Sequence, residues 1–164
     1  HFIKKLKSGG RAGIIIKDTF LSNLDAKLLR KELLETCNLH TILNLPRKVF
    51  TAGVKTIVLF FEKGVSTKKI FYYDLNLNRN LGLTNPLTKS DLTDFENLYS
   101  NKKDSLNSWF KNISDINKET WDLKVNNPNQ IEKIDTRTPK EIVDEIEEIE
   151  LKTKKSLNKI KNLL

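Results

Sequence analysis

Two apolar runs separated by a polar, basic segment dominate the pattern of this chain. The first spans Leu39–Leu45 and the second Thr56–Phe61, and both have the β-branched and aromatic bias that is typical of buried strands. The segment between them, Pro46–Lys55, carries three cations, one aromatic residue and one glycine. The pattern therefore predicts two core strands joined by a cationic loop. An aromatic side chain on such a loop suits a site for a nucleobase and its phosphates.

The segments around these runs predict an α/β sheet. The pattern predicts a short strand over Arg11–Ile16, a helix over Asp25–Cys37 and a further strand over Lys69–Leu75. A strand, a helix and a strand in this order indicate a parallel sheet with a crossover helix. The connection to Thr56–Phe61 is short for a crossover, so this strand is expected to run antiparallel. In the helix, Arg30 and the other charged residues are predicted to face solvent. Its core face is predicted to hold Leu28, Leu29, Leu33 and Leu34.

The second half of the chain predicts two helices. One follows Pro86–Ser90 and has Leu92, Phe95 and Leu98 or Tyr99 on its apolar face. The other begins at Thr138-Pro139-Lys140-Glu141, which has the residues of a capping box with proline at the first helical position. Its narrow seam favours a partner helix, although a terminal helix packed on its own domain is the alternative. The seam residues predicted for partner contact are Ile142, Ile146, Ile149, Leu157 and Ile160.

These patterns predict three parts: an α/β domain over residues 1–75, a loop and helix extension over residues 76–137, and a long amphipathic helix over residues 138–164. The charge is distributed unevenly among them. Lys and Arg exceed Asp and Glu by nine over residues 1–70, while residues 71–137 carry a net charge of −1 and residues 138–164 are neutral. An asymmetric basic surface is typical of proteins that bind polyanions. A lysine-rich composition that maintains solubility is the alternative interpretation.

Several function classes are disfavoured by the sequence. No apolar run approaches the length of a membrane span, and residues 1–7 have no secretory pattern, so we expect no membrane partner. Cys37 is the only cysteine, which excludes an internal disulfide and indicates a cytoplasmic protein. Cys37, His1 and His40 lack the spacing of metal ligands, so we predict no metal site.

The same segments resemble a known family over essentially the whole chain. That family is the methyltransferase (M) subunit of type I restriction–modification systems, and the similarity is to its C-terminal part. Its members are N6-adenine DNA methyltransferases that use S-adenosylmethionine. The most specific segments are LPRKVF, GVKTIVLFF and YYDL, and the resemblance also includes LKSGGRAGIII, NPLTKSDL and SWFKNISDINKETWDLKVNNPN.

Features that the family carries before this point are missing. The chain contains neither the family's glycine-rich cofactor loop nor its Asn-Pro-Pro-aromatic catalytic tetrad. Gly9-Gly10 is not the cofactor loop, because it precedes a predicted strand instead of following one. Lys17 and Thr19 also stand where the family commonly has proline and glycine. The resemblance therefore implies the C-terminal half of a Rossmann-like methyltransferase sheet followed by a mostly helical tail. We expect no catalytic residue, no cofactor contact and no activity from this chain alone.

The resemblance also implies partners. These are double-stranded DNA, the missing N-terminal half of the methyltransferase, the specificity subunit and, in the full complex, the restriction subunit. The terminal helix is expected to contact the specificity subunit. The alternative is a non-catalytic assembly module that docks through this helix and binds nucleic acid nonspecifically through its basic half.

Phe50 is the first candidate site residue. The matching aromatic residue in related methyltransferases stacks on the target adenine after it is flipped from the duplex, because a flipped base needs a π-face to replace its lost stacking. The alternative is that Phe50 packs on the edge of the sheet. Arg47, Lys48 and Lys55 are predicted to contact phosphates, with solvated loop cations as the alternative. Gly53 is expected either to allow a tight turn or to lie in a flexible loop.

Overall fold

The computed structural model describes residues 2–50, 53–130 and 138–162, in two compact units that divide between Gln130 and Ile131. No helix within the described ranges is long and apolar enough to cross a bilayer. The elements are α1 (Phe2–Lys5), β1 (Arg11–Lys17), α2 (Lys27–Thr36), β2 (Cys37–Asn44), β3 (Thr56–Lys63), β4 (Lys69–Asp74), α3 (Thr93–Asn101), β5 (Ser108–Asn112) and α4 (Pro139–Lys161).

The first unit is built on a five-stranded mixed sheet with the order β1-β3-β2-β4-β5. Strand β3 pairs antiparallel with both β1 and β2, so β1 and β2 are parallel to each other. Strand β4 pairs parallel with β2, and β5 pairs antiparallel with β4. The prediction of two parallel strands joined by a helix, with an antiparallel strand after them, is therefore confirmed.

Helix α2 covers one face of the sheet, but its buried side differs from the prediction. Leu33 and Leu34 are buried as expected, whereas Leu28 and Leu29 are 74% and 54% exposed. The fully buried residue on the inner side is Arg30. The prediction that Arg30 faces solvent is wrong because the structure supplies hydrogen-bond acceptors for the buried guanidinium.

These acceptors are four backbone carbonyls from two segments that are distant in sequence. The Arg30 guanidinium donates to Phe20 and Asn23 beside β1, at 2.8 and 2.7 Å, and to Thr120 and Trp121, at 2.9 and 2.6 Å. Burial lowers the pKa of Arg30, but an arginine stays charged in proteins. The charge-assisted bonds therefore fasten residues 120–121 to α2. The Tyr72 hydroxyl extends this attachment by donating to the Leu123 carbonyl at 2.9 Å.

The opposite face of the sheet is covered by α3. Phe95 of this helix packs in a cluster with Leu43, Phe71 and Tyr73, which confirms the helix predicted after Pro86. Strand β5 was not predicted, because only Trp109 and Phe110 mark its two faces. The Trp109 ring stacks on Tyr72 at a centroid distance of 5.3 Å.

Helix α4, which belongs to the second unit, spans 23 residues, or about 34 Å. Thr138 and Glu141 form the predicted capping box, with Pro139 at the start of the helix. Within the described part of α4 no residue is buried, and Ile146, Ile149 and Ile160 are each more than half exposed. The seam that the sequence predicts is thus present on a regular helix.

Candidate functional site

The carboxyl ends of the three parallel strands meet at one edge of the sheet. Strand β1 ends at Lys17, β2 at Asn44 and β4 at Asp74, while β3 begins at the same edge with Thr56. Ligands of open α/β sheets bind outside the carboxyl ends of their strands. The loop from Leu45 to Lys55, which connects β2 to β3, lies at this edge.

This β2–β3 loop closes on a backbone hydrogen bond and uses two left-handed residues. The Leu45 amide donates to the Thr56 carbonyl at 3.0 Å, where the strands separate. Lys48 and Gly53 have φ angles of 66° and 63°. The Gly53 amide donates to the Phe50 carbonyl at 3.1 Å, and its positive φ is one that glycine adopts at little cost.

Phe50 is partly packed and partly open. Its side chain is 41% exposed and borders an apolar pocket of about 370 Å³ on the face of the sheet that α3 covers. The pocket also contacts Ile15 of the edge strand β1, which is 56% exposed. Phe50 thus lines this pocket, and its exposed part is free to contact a ligand. The remaining lining residues are Leu43, Leu45, Val49, Val58, Phe60, Leu87, Leu92, Phe95 and Glu96.

The three candidate cations do not share one surface. Arg47 and Lys48 are exposed on the loop, and neither forms an ion pair within the described ranges. Lys55, at the end of the loop, instead lines a polar cleft of about 300 Å³. Phe50 and Lys55 thus contact two different concavities, which the β2–β3 loop separates.

The polar cleft is formed by strand ends on one side and by the segment of residues 124–130 on the other. Lys124 of this segment lines it together with Lys55, and neither ammonium has an ion-pair partner among the described residues. Asp18, in the first turn of a 3₁₀ helix after β1, also lines the cleft. Amide side chains are the commonest polar lining, contributed by Asn44, Asn76, Asn126, Asn127 and Gln130.

Hydrogen bonds hold several of these groups in place. The Asn44 amide donates to the Asp74 carboxylate at 2.7 Å, which joins the ends of β2 and β4. The Asn127 amide donates to the Leu106 carbonyl at 2.8 Å and anchors the far wall. Tyr72 forms part of the floor, and burial raises the pKa of its hydroxyl. The cleft is therefore a pre-organised polar surface lined by two cations, several amides and the carboxylates of Asp18 and Asp74.

Lys124 and the amides from residues 126 to 130 were not identified from the sequence. Their only signal was the breaker Asn126-Asn127-Pro128-Asn129, which predicts a loop but not its position in space. The position depends on the Arg30 and Tyr72 hydrogen bonds, which no local pattern reveals.

A second polar cluster lies on β2 away from this edge. The Lys102 ammonium donates to His40 Nδ1 at 3.3 Å, and the Thr41 hydroxyl lies 2.9 Å from the same nitrogen. Burial, followed by the charge of Lys102, lowers the pKa of His40 to about 4. His40 is therefore neutral at physiological pH. No group of three metal-ligating side chains occurs in the described part of the chain.

The chain is similar to several known proteins. A family model described as N-6 DNA Methylase matches residues 1–137. The type I restriction enzyme StySJI methylase subunit of Salmonella typhimurium is 39% identical over 111 residues, covering 60% of this chain and 21% of that protein. The EcoEI methylase subunit of Escherichia coli is 30% identical over 175 residues, covering 99% of this chain and 36% of that protein. The chain thus spans about a fifth to a third of the length of these relatives.

Solved structures from type I systems also align with this chain. A chain from a study of assembly and conformational transition in a type I R-M system aligns with a TM-score of 0.73 and 29% identity. The alignment covers 100% of this chain and 38% of that one. The EcoKI M protein aligns with a TM-score of 0.57 and 39% identity, over 60% of this chain and 23% of that protein.

Proposed function

The chain belongs to the N-6 DNA methylase family, and we propose that it acts as the C-terminal part of a type I adenine DNA methyltransferase. Its fold is the predicted one, the last strands of a Rossmann-like methyltransferase sheet with a helical tail. The observation that carries the proposal is the position of the β2–β3 loop. It lies at the carboxyl edge of β1, β2 and β4, where a ligand of this class of sheet binds.

Phe50 is the proposed stacking face for the target base. An enzyme that modifies a base inside a duplex must flip the base out and compensate for its lost stacking. A ring that is 41% exposed and lines an apolar pocket can offer a surface to adenine. Stacking of a base on an aromatic side chain contributes about 1–3 kcal/mol.

Arg47, Lys48 and Lys55 are the proposed phosphate contacts, and the structure suggests adding Lys124 to them. The cleft places Lys55 and Lys124 on one polar surface beside the loop. Cations that neutralise phosphates position the DNA without reading its sequence. These residues would therefore orient the duplex, while Phe50 receives the target base.

S-adenosylmethionine is the proposed methyl donor of the complete enzyme. The described residues of this chain do not fit it, because Gly9 and Gly10 come before β1 and no glycine-rich turn follows a strand. We therefore assign the donor site and the proton chemistry to the other part of the methyltransferase. The contribution of this chain is to bind and orient the base and its strand.

The remaining part of the methyltransferase is proposed to join along β1. This strand lies at the edge of the described sheet and pairs only with β3 in it. An edge strand presents unpaired amides and carbonyls to another strand. Ile15, which is exposed beside the apolar pocket, would be covered by the same contact.

The seam of α4, which consists of Ile142, Ile146, Ile149, Leu157 and Ile160, is proposed to contact the specificity subunit. That subunit would choose the DNA sequence, and the restriction subunit would join the full complex. The proposed location is the cytoplasm. The alternative function, a non-catalytic assembly module that binds nucleic acid, makes the same use of α4 but assigns no role to Phe50.

Reconstitution tests the proposal. The chain would be combined with an N-terminal methyltransferase polypeptide and a specificity subunit, and transfer of labelled methyl groups to adenine would be measured. We expect transfer only when all three polypeptides are present. If they form a stable complex on DNA that transfers no methyl group, the assembly-module alternative replaces the proposal.

A further inference from the structure

An exposed leucine lies at the tip of a tight turn at the carboxyl edge of the sheet. Leu106 and Asn107 form a two-residue loop between Ser105 and Ser108, whose amides and carbonyls bond to each other at 2.9 and 3.3 Å. Strand β5 begins at Ser108 and runs antiparallel to β4, so this turn lies beside the carboxyl end of β4. The Leu106 side chain is 68% exposed, at the same edge of the sheet as the proposed DNA contacts.

The backbone of the turn is held by hydrogen bonds from three parts of the chain. The carbonyls of all four residues, 105–108, accept a hydrogen bond from another protein group. The donors from outside the turn are the Asp74 amide to the Asn107 carbonyl at 2.8 Å, the Asn127 side chain to the Leu106 carbonyl at 2.8 Å, and the Asn129 side chain to the Ser105 and Ser108 carbonyls at 2.8 and 3.0 Å. Water can satisfy a surface carbonyl equally well, so the consequence of these bonds is to fix the position of the turn.

Polar side chains of the turn brace it further. The hydroxyl oxygens of Ser105 and Ser108 lie 2.7 Å apart, and the Asn107 amide donates to the Ser105 hydroxyl at 3.2 Å. The Ser108 hydroxyl also donates to the Lys103 carbonyl at 2.7 Å. The turn therefore presents an apolar side chain to solvent on a rigid support.

Two of the bracing residues also line the polar cleft. Asn127 bonds to the Leu106 carbonyl, and Asn76 donates to the side chain of the next residue in the turn at 2.9 Å. Both asparagines line the cleft together with Lys55 and Lys124, the proposed phosphate contacts. A DNA strand whose phosphates bind these two lysines would therefore have its bases close to Leu106.

The chemistry of an exposed, rigidly held leucine suits a base stack. Exposure alone assigns no role to Leu106, because single apolar residues are common on protein surfaces. Leucine is, however, one of the side chains that proteins insert between base steps to unstack them. A side chain on a pre-organised turn loses little conformational freedom when it inserts. Lys103 and Asp104 precede the turn with balanced charge, so the cations of the cleft are the ones that hold the strand.

We propose that Leu106 is a wedge that enters the base stack of duplex DNA beside the target adenine. Inserting it compensates for part of the stacking that is lost when the base leaves the duplex. Leu106 would open the stack, while Phe50 would hold the base afterwards. Leu106 is thus a positioning residue and takes no part in methyl transfer. The inference deepens the proposed function and rests on it.

Fluorescence of 2-aminopurine at the target position tests the wedge without requiring methyl transfer. This adenine analogue is quenched when it is stacked and fluoresces when it is unstacked. In the reconstituted methyltransferase with its specificity subunit, we expect Leu106→Ala to reduce the fluorescence increase on binding by about threefold or more. Leu106→Met, which keeps an apolar side chain of similar size, should retain most of the increase. DNA affinity, measured by anisotropy, should change much less, since phosphate contacts dominate it.

Two further variants separate the wedge from general effects on the fold. Leu83→Ala is the matched control, because Leu83 is 86% exposed on the two-residue turn between Gly82 and Asn85 and is not among the described residues that line either cavity. It should leave the fluorescence unchanged. Asn129→Ala removes two of the bracing bonds but keeps the leucine, and it should lower the fluorescence increase in the same direction as Leu106→Ala.

A mismatch opposite the target adenine tests the role in base extrusion. Extrusion costs least for a mismatched base, so Leu106→Ala should methylate the mismatched duplex at nearly the parent rate and the paired duplex about tenfold more slowly. Equal defects on both duplexes, or fluorescence equal to that of the parent, would overturn the wedge. Loss of specificity-subunit binding in Leu106→Ala would also overturn it, because Leu106 would then contact protein. A parent complex that unstacks the base through Leu106 but transfers no methyl group would contradict the proposed function alone.

Discussion

At the residue scale, Arg30 shows how a side chain can reverse the expectation from its charge. The helical pattern predicts that Arg30 faces solvent, since charged residues are seldom fully buried unless they are paired. Instead, four backbone carbonyls surround its guanidinium, and two of them come from residues 120 and 121. No pattern within the helix contains this information, because two of the acceptors lie about ninety residues away along the chain.

Substitution of Arg30 should therefore be costly. Arg30→Met removes the donors and leaves buried carbonyls unpaired, and we expect a loss of at least about 3 kcal/mol in the free energy of unfolding. Urea denaturation would measure it. Lys31→Met, at the next residue, is the control, because its exposed ion pair with Glu35 is worth at most about 1 kcal/mol. Equal effects of the two substitutions would contradict the role assigned to Arg30.

His40 should make stability depend on pH. Its pKa is about 4 in the folded chain, against about 6.5 for an ordinary histidine. Between these values the unfolded chain binds the extra proton and the folded chain does not. The stabilisation is therefore complete above pH 6.5 and is lost as the pH falls through 4.

Thermal unfolding between pH 7 and 4 would measure this effect. We expect the melting temperature to fall in this range and the fall to be smaller in His40→Gln. His1→Gln removes the other histidine of the chain and serves as the control. An unchanged slope in His40→Gln would show that carboxylates alone cause the loss.

At the element scale, the sequence predicted segments with a clear hydrophobic pattern or capping signal, but not the short strand β5. The runs Leu39–Leu45 and Thr56–Phe61 became β2 and β3, and the capping box at Thr138 starts α4. Strand β5 has only five residues, and its pairing with β4 depends on the path of the chain after α3. The division of the chain at residues 75 and 137 stays a prediction.

The sequence predicted one part of the candidate site, the β2–β3 loop, but not the other, the polar cleft. The β2–β3 loop with Phe50 is continuous in sequence, so its composition alone marked it. The polar cleft is lined by both Lys55 and Lys124, which are distant in sequence, because the segment that carries Lys124 is fastened beside β4. A site assembled from separate segments needs the tertiary fold to be recognised.

Paired lysine substitutions test the cleft. If Lys55 and Lys124 each contact a phosphate, Lys55→Gln and Lys124→Gln should each reduce the salt dependence of DNA affinity by about one counterion. Fluorescence anisotropy of the reconstituted complex on a labelled duplex would measure it at several salt concentrations. Lys68→Gln, an exposed lysine outside the cleft, should leave the slope unchanged. A slope equal to that of the parent in both cleft variants would exclude phosphate contacts there.

At the scale of the whole molecule, the described sheet holds one side of a site. The carboxyl edge of β1, β2 and β4 presents the aromatic residue and the cations, while the donor and the catalytic tetrad are proposed to come from the part that joins along β1. Under this proposal the described residues bind the base and its strand, and the other part supplies the chemistry of methyl transfer. Phe50, which would receive the target base, is therefore the residue on which the proposed function depends most.

The most direct test is to compare turnover and DNA affinity for Phe50→Ala in the reconstituted methyltransferase. We predict that the rate constant for adenine methylation falls about tenfold or more, because stacking is worth about 1–3 kcal/mol, while DNA affinity changes little. Phe50→Tyr should retain most of the rate, and Leu83→Ala, an exposed residue on another loop, should be neutral. An unchanged methylation rate in Phe50→Ala would contradict the assignment of this loop as the wall of the target-base site.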